Sequence, residues 1–391
     1  MNVLITIGSF YDGGAEMFAI RLANALSNKM KIVFVELEPY ESEKKNQKKL
    51  LKSCVKLIQA GKNLSGYLLQ KDVFNGRLKR KLRNYHVSAV RKKITDTIKE
   101  NNIQVVHSHC LKTDVYFSRL KEKLAFKLIS TLHGHYELEQ KEKLLQVFGN
   151  CKMTEKIDKY IYVTQKQIAT LNSLNVPEQK RTKIFYGIEG SITNAITTYD
   201  PAGPLRIVMA ARGIAEKGWE EAIEACLILL KKFPGKLRLD LFGEGASLDK
   251  LRSVYKNENI HFRGYTDDVM QFISVAHIGL LPSYYEAESL PNSVIEYLFC
   301  GKPVIATSAG AIDEMLTCEE GKAGMLINLV NGKVHANDIA DAIEVYLNNP
   351  PLVERHSVLA LNAAQKFDMQ NCVLAYTALY HEVVGDHSGE A

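Results

Sequence analysis

Several familiar features are missing from this sequence of 391 residues, and each absence excludes something. No apolar run reaches the roughly 18 residues that a membrane-spanning helix needs, and no charged leader precedes an apolar segment and a cleavage site. The expected location is the cytoplasm. The seven cysteines, at 54, 110, 151, 226, 300, 318 and 372, form no Cys-x-x-Cys pair and no His/Cys cluster of metal-binding spacing. They read as reduced and mostly structural, which excludes a disulfide scaffold or a zinc-held fold. A Gly-x-Gly-x-x-Gly fingerprint is also lacking, which argues against a nicotinamide dehydrogenase.

Acidic residues are scarce in one region only. The chain carries a net charge of +6, yet Lys44 to Lys93 holds sixteen lysines and arginines against the single acid Asp72, so this segment stands at +15 and the remainder at −9. Leu50, Leu51, Val55, Leu57, Leu64, Tyr67, Leu68, Leu69 and Phe74 are interleaved with the cations. Apolar and basic residues at helix-like spacing suit a helix lying on anionic lipid headgroups, and a solvated helical face is the plainer alternative. Nucleic acid is not expected as a partner, because no aromatic stacking platform is evident.

What is present is an alternation of short apolar runs and longer amphipathic ones. Val3 to Ile7, Lys31 to Leu37, Val105 to His107, Lys127 to Leu132 and Tyr160 to Val163 read as strands with helical patterns between them. That order implies parallel strands joined by crossover helices, with both sheet faces covered. A turn-rich stretch at 190–204 reads as a linker. The rhythm then restarts at Arg206 to Ala210, Arg238 to Phe242, Ile260 to Arg263, Ile278 to Leu281 and Val304 to Ala306. The expected architecture is α/β, with two facing Rossmann-like, doubly wound domains at 1–189 and 205–368 and a last helix, from about 369, crossing back onto the first. Ligands of such sheets bind beyond the carboxyl ends of the strands, so the site is expected in the cleft between the domains.

The densest constellation is Glu288-Ser-Leu-Pro-Asn-Ser-Val-Ile-Glu296, followed by Tyr-Leu-Phe-Cys-Gly-Lys-Pro-Val-Ile-Ala306. Pro291 suits a first helical turn, and Gly301 with Pro303 ends the helix before the next strand. Glu288 falls in the loop at the helix start, where amide groups and the helix dipole favour phosphate or sugar hydroxyls. Glu296 is the lone charge between Val294 and Cys300, which predicts substantial burial, either in a structural ion pair or against a ligand. Ser289, Leu290, Pro291 and Asn292, between the two glutamates, are donor-site candidates.

Three further loops follow strands. Ala210-Ala-Arg-Gly-Ile-Ala-Glu-Lys-Gly-Trp219 places Arg212 and Lys217 before a helix, where they are either surface charges or a diphosphate clamp that stabilises a departing anion. Gly8-Ser-Phe-Tyr-Asp-Gly-Gly-Ala-Glu16 offers Gly13 and Gly14 for close backbone approach, although a tight turn explains glycines equally well. Leu241-Phe-Gly-Glu-Gly245 contains Gly243 in a partial Gly-x-Gly. His107, His109, His133 and His135 lie at two strand ends in a spacing that fits no common zinc pattern, and no metal ligand is assigned.

Glu288 and Glu296 with seven residues between them, then Cys-Gly-Lys-Pro-Val-Ile-Ala, resemble the signature of the family-4 retaining glycosyltransferases, whose architecture is called GT-B. Arginine, four residues, then lysine-glycine resembles that family's diphosphate pair, and Gly-Gly-Ala-Glu its first-domain loop. The resemblance spans roughly residues 2–365 and is dense only in the second half. It implies that Glu288 contacts the donor sugar and Glu296 the ribose, that Arg212 and Lys217 hold the diphosphate, and that Gly13 and Gly14 approach the donor diphosphate and the acceptor. It also implies that His133 lies near the donor sugar, with His109 a weaker second, and that Gly243 serves nucleotide packing. Two departures stand out. Tyr186-Gly-Ile-Glu189 replaces the Asn-Gly-Ile-Asp of many members, and serine follows Glu288 in place of the frequent glycine.

The expected reaction moves a hexose-type sugar from a UDP- or GDP-linked donor to a glycan or lipid-linked acceptor by front-face attack, with configuration kept. No Asp-x-Asp motif occurs, in keeping with a reaction that needs neither metal nor cofactor. The basic segment on the acceptor side suggests a lipid-linked sugar at the inner face of a membrane, as in bacterial surface-polysaccharide or glycolipid assembly. The alternatives are a nucleotide-sugar epimerase of the same fold and a catalytically inactive membrane-associated binding protein.

Overall fold

The computed structural model describes residues 1–10, 14–39, 47–61, 77–133, 153–190, 192–193, 195–286 and 288–385, with backbone alone at 47 and 77–87. Part of the basic segment 44–93 therefore lies outside the described residues, and the described part is not one surface helix as expected: Lys56–Gln59 is a strand paired into the sheet, Val55 is buried, and a long helix begins only at Arg77. The chain divides into two compact units, Met1–Glu189 with Met369–Ala391, and Gly190–Asp368.

The first unit is a parallel sheet of β1 (Asn2–Ile7), β2 (Lys31–Glu36), β3 (Lys56–Gln59), β4 (Val105–Ser108), β5 (Lys127–Thr131), β6 (Lys159–Tyr162) and β7 (Arg181–Lys183), in the order β3-β2-β1-β4-β5-β6-β7. The second is a parallel sheet of β8 (Leu205–Ala210), β9 (Leu237–Phe242), β10 (Ile260–Gly264), β11 (Ile278–Leu281) and β12 (Val304–Thr307), closed at one edge by β15 (Gly324–Ile327) in the order β10-β9-β8-β11-β12-β15. Between β12 and β15 lies a small antiparallel pair, β13 (Thr317–Cys318) and β14 (Gly321–Lys322). Both large sheets run outward in two directions from their first strand, the doubly wound order, and each has a switch point where the direction reverses. In the first unit that point lies between β1 and β4, and in the second between β8 and β11.

Among the described residues, the helices of eight residues or more are α1 (Gly14–Leu26), α2 (Arg77–Glu100), α3 (Leu111–Leu120), α4 (Lys166–Ser173), α5 (Trp219–Lys232), α6 (Ala246–Val254), α7 (Asn292–Phe299), α8 (Ala336–Asn348), α9 (Pro350–Ala364) and α10 (Met369–Val384). Central strands such as β1, β4 and β11 are buried almost throughout because helices cover both sheet faces, which is why their sequences are mostly apolar. The first core joins Leu4, Val106, Leu128 and Tyr160 of the sheet to Ile94, Ile98 and Phe117 of its helices. The second is built on Ile207, Leu239, Leu280 and Ile305 with Trp219, Ile223 and Ile343. α10 belongs to the first unit, where Tyr376 and Tyr380 are fully buried.

The described residues of 190–204 are pinned to the second unit. Thr193 N–H donates to Phe299 O at 3.0 Å. Thr197 N–H donates to Ser357 Oγ at 2.7 Å, and Thr197 Oγ1 accepts from Lys302 Nζ at 2.8 Å.

Candidate functional site

Two loops meet at the second switch point because a glycine permits it. Gly218 has φ +77, and a Cβ there would lie 2.3 Å from Pro282 O. The loop after β8 thus rests on the loop after β11. Tyr284 N–H donates to Glu216 O at 2.8 Å, and Ser283 Oγ lies 3.3 Å from the same carbonyl. Lys217, next to that glycine, is thereby carried to Glu288, with Nζ 2.5 Å from Oε2 and both side chains only 7% exposed. Ser283, itself fully buried, donates to the same oxygen at 2.7 Å. Both contacts fall on Oε2, and none to Oε1 is seen among the described residues.

Tyr285 lies under two cations, with Arg212 Cζ 5.4 Å and Lys217 Nζ 5.1 Å from its ring centroid. The Arg212 side chain is exposed, but its carbonyl accepts from Trp219 Nε1 at 2.9 Å, which fixes the loop backbone. Gly213 and Gly243 answer to packing, since a Cβ at Gly213 would meet Glu244 C at 2.6 Å and one at Gly243 would meet Ala211 O at 2.2 Å. The loops after β8 and β9 are thus pressed together, backbone to backbone.

α7 begins one residue later than the sequence suggested. Pro291 is its N-cap in extended conformation (φ −66, ψ 122), and Asn292 opens the helix. The Gly301 end is as expected, with φ +62 just beyond the last turn. Ser289 and Leu290 are buried, and the Ser289 Oγ has no hydrogen-bond partner among the described residues. Ser289 O accepts from Ala311 N–H at 2.8 Å, and Gly310 (φ +59) passes so close that a Cβ would lie 2.6 Å from the carbonyl oxygens of Glu288 and Ser289.

Glu296 is mostly but not fully buried, like Asn292 and Ser293. These three lie at i, i+1 and i+4 on one face, while Val294, Ile295, Tyr297, Leu298 and Phe299 fill the core. An apolar sequence therefore carries a polar stripe at its N-terminal end. Tyr297 anchors the other face. Its hydroxyl accepts from Ala210 N–H at 2.8 Å and donates to Leu280 O at 3.3 Å, bridging the two strands of the switch point.

In the first unit the switch point is lined by aromatic rings. His107 Nδ1 lies 2.7 Å from Tyr380 Oη, and its Nε2 lies 2.7 Å from Thr131 Oγ1. His109 Nδ1 lies 2.9 Å from His133 Nε2, and His133 Nδ1 is hydrogen-bonded to the Tyr186 hydroxyl. Burial pushes the pKa of His107 and of His133 down to about 3 and that of His109 well below its ordinary value, so all three rings are neutral near pH 7. Phe18 of α1 stacks on Tyr186 at 4.3 Å. Gly14 opens α1, while Gly13 and His135 lie outside the described residues.

Most of the predicted second-unit residues thus gather at one switch point, with Gly243 in the adjoining loop. His109 and His133 gather at the other. Ser283, Tyr285 and Tyr186 were not singled out as site residues. A Pro-Ser pair directly after a strand pointed to Ser283, and the departure from the family's asparagine pointed to Tyr186.

Two doubly wound units, the second with a cation–carboxylate pair at its switch point, place the chain in the GT-B class of glycosyltransferases. Residues 12–189 match Glycosyltransferase Family 4 and residues 204–349 match Glycosyl transferases group 1. An uncharacterised glycosyltransferase of Methanocaldococcus jannaschii is 26% identical over 293 residues, covering 73% of this chain and 77% of that one. The N,N'-diacetylbacillosaminyl-diphospho-undecaprenol alpha-1,3-N-acetylgalactosaminyltransferase of Campylobacter jejuni is 28% identical over 184 residues, 46% of this chain and 45% of that one. Among solved structures, Anabaena HepE in complex with UDP superposes with a TM-score of 0.75 at 16% identity, over 98% of this chain and 100% of that one. The chain belongs to the family-4, group 1 glycosyltransferases.

Proposed function

We propose that this glycosyltransferase moves a hexose-type sugar from a UDP- or GDP-linked donor to a glycan or lipid-linked acceptor, with retention and without a metal. The observation that carries the reading is the buried Lys217–Glu288 pair with Arg212 beside it at the second switch point. An ammonium has three donors, so Lys217 can hold Glu288 and still bind phosphate oxygens. With Arg212 it neutralises the diphosphate as the glycosidic bond loosens, the service a divalent ion gives elsewhere. Glu288 offers Oε1 to the sugar hydroxyls, Glu296 accepts from the ribose on the open stripe of α7, and His133 orients the sugar. The acceptor hydroxyl attacks from the side of the departing phosphate. Structural similarity to a protein crystallised with UDP supports a uridine donor, and the relative named for a diphospho-undecaprenol acceptor supports a lipid-linked one. No helix among the described residues is long and apolar enough to cross a membrane. The basic segment 44–93 is proposed as a peripheral contact with anionic lipid at the inner membrane face, and loss of flotation with anionic vesicles is the result that would sink this part.

The test is thermal unfolding with UDP, GDP, ADP and NAD in turn, EDTA present throughout. A nucleotide at about 100 times its dissociation constant adds roughly 2.7 kcal/mol of stability. Stabilisation by UDP or GDP, lost in Arg212→Ala and Glu296→Ala, supports the site. Stabilisation by NAD alone, or by none of the four, overturns it.

A further inference from the structure

Tyr186 stands where many members of the family carry asparagine, and its hydroxyl is bonded to His133 Nδ1. The other nitrogen of His133 is taken as well, by His109 Nδ1 at 2.9 Å. His133 is thus the middle of a three-member chain, Tyr186–His133–His109, that joins the segment after β7 to the ends of β5 and β4. Phe18 adds the fourth side, stacked on Tyr186 at 4.3 Å and set at 5.9 Å and 6.0 Å from the rings of His109 and His133.

A neutral imidazole carries one N–H and one lone pair, so the two bonds of His133 cannot be chosen independently. If Tyr186 donates to Nδ1, then His133 Nε2–H donates to His109, and the proton of His109 is left on Nε2. That nitrogen is buried and has no hydrogen-bond partner among the described residues, an expensive place for an N–H. If the chain runs the other way, His109 Nδ1–H donates to His133 Nε2, His133 Nδ1–H donates to the Tyr186 oxygen, and His109 Nε2 is left with a lone pair alone.

We infer that Tyr186, with His109 behind the ring, is a positioning residue that holds His133 in one orientation and one tautomer, with its proton on Nδ1. The burial that keeps both histidines neutral means that the arrangement is not disturbed by protonation near pH 7. This inference rests on the proposed role of His133 beside the donor sugar. His133 then works as a fixed ring, and a sugar hydroxyl reaches one of its nitrogens only by replacing Tyr186 or His109.

The experiment is 15N NMR of the full-length protein labelled at histidine, combined with steady-state transfer kinetics. Tyr186→Phe keeps the stack on Phe18 and removes only the hydroxyl. In the wild type the His133 ring is expected as a single Nδ1–H tautomer, and in Tyr186→Phe as a mixture. kcat should fall about tenfold, the worth of one positioning hydrogen bond, with donor KM within about twofold. His109→Asn, whose amide can replace Nδ1, should keep the tautomer, whereas His109→Leu should lose it. An unchanged His133 spectrum and unchanged kcat in Tyr186→Phe overturn the inference, as does an Nε2–H tautomer in the wild type. His133→Gln separates the two levels. If it leaves transfer unaffected, the role of His133 falls and this inference falls with it; if it lowers kcat while Tyr186→Phe is silent, only the inference falls.

Discussion

Lys217 and Glu288 are each shielded from water, so neither can be removed without stranding the other's charge. Breaking such a pair costs about 3–5 kcal/mol, whereas removing both partners costs less than the sum. Lys217→Ala and Glu288→Ala are therefore expected to be strongly destabilising alone and markedly sub-additive together in urea unfolding; strict additivity would mean that the pair does not form. A second residue-scale prediction concerns Gly279 on β11. A Cβ there would stand 2.3 Å from the Tyr297 ring, which is fully buried and hydrogen-bonded on both sides of the switch point. Gly279→Ala must displace that ring. A loss of about 1–3 kcal/mol, the usual cost of overpacking, is expected, with weaker nucleotide binding because α7 moves with Tyr297. Unchanged stability would show that the ring can shift freely. Such details could not be read from the sequence, where Gly279 is only a small residue in an apolar run.

The three strand-end histidines of the first unit give its stability a predictable acid limb. His107 and His133 bind protons near pH 3 in the native chain but near the ordinary value of 6.5 when unfolded. Between those values the unfolded state holds more protons, so stability rises with pH and is lost as pH falls below 6.5, by up to about 1.4 kcal/mol per pH unit for each ring. Tm should drop steeply from pH 7 to pH 5, and less so in His107→Asn; a flat profile would contradict neutral buried rings. At this scale the sequence was highly legible for central elements and poorly legible for edges. Ten strands were readable because a strand covered on both faces must be apolar along its length. The strands missed were β3, β7 and β15, each at a sheet edge, with the tiny pair β13 and β14. β7, Arg-Thr-Lys, contains no apolar residue at all and is held by its pairing with β6. The partly exposed stripe of Asn292, Ser293 and Glu296 on α7 was hidden for a related reason. Side-chain identity shows how apolar a helix is on average, but which stripe faces outward depends on the sheet beneath it.

α10 contributes Met369, Cys372, Val373, Tyr376, Leu379 and Tyr380 to the core of the first unit. At about 1.5–3 kcal/mol for each large apolar side chain, its removal costs on the order of 10 kcal/mol, more than a typical domain can lose. A chain ending at Asp368 is expected to unfold in its first unit while the second still melts cooperatively and still gains stability from UDP or GDP. A single unchanged transition in calorimetry would show that α10 is dispensable. The same division has a consequence during synthesis. Residues 190–368 form a contiguous unit that can fold as soon as it leaves the ribosome, whereas the first unit, begun earlier, waits for α10. The unit begun second is thus the one able to finish first, and Tyr186, Phe18 and the histidines around them remain exposed to chaperones until α10 has been made.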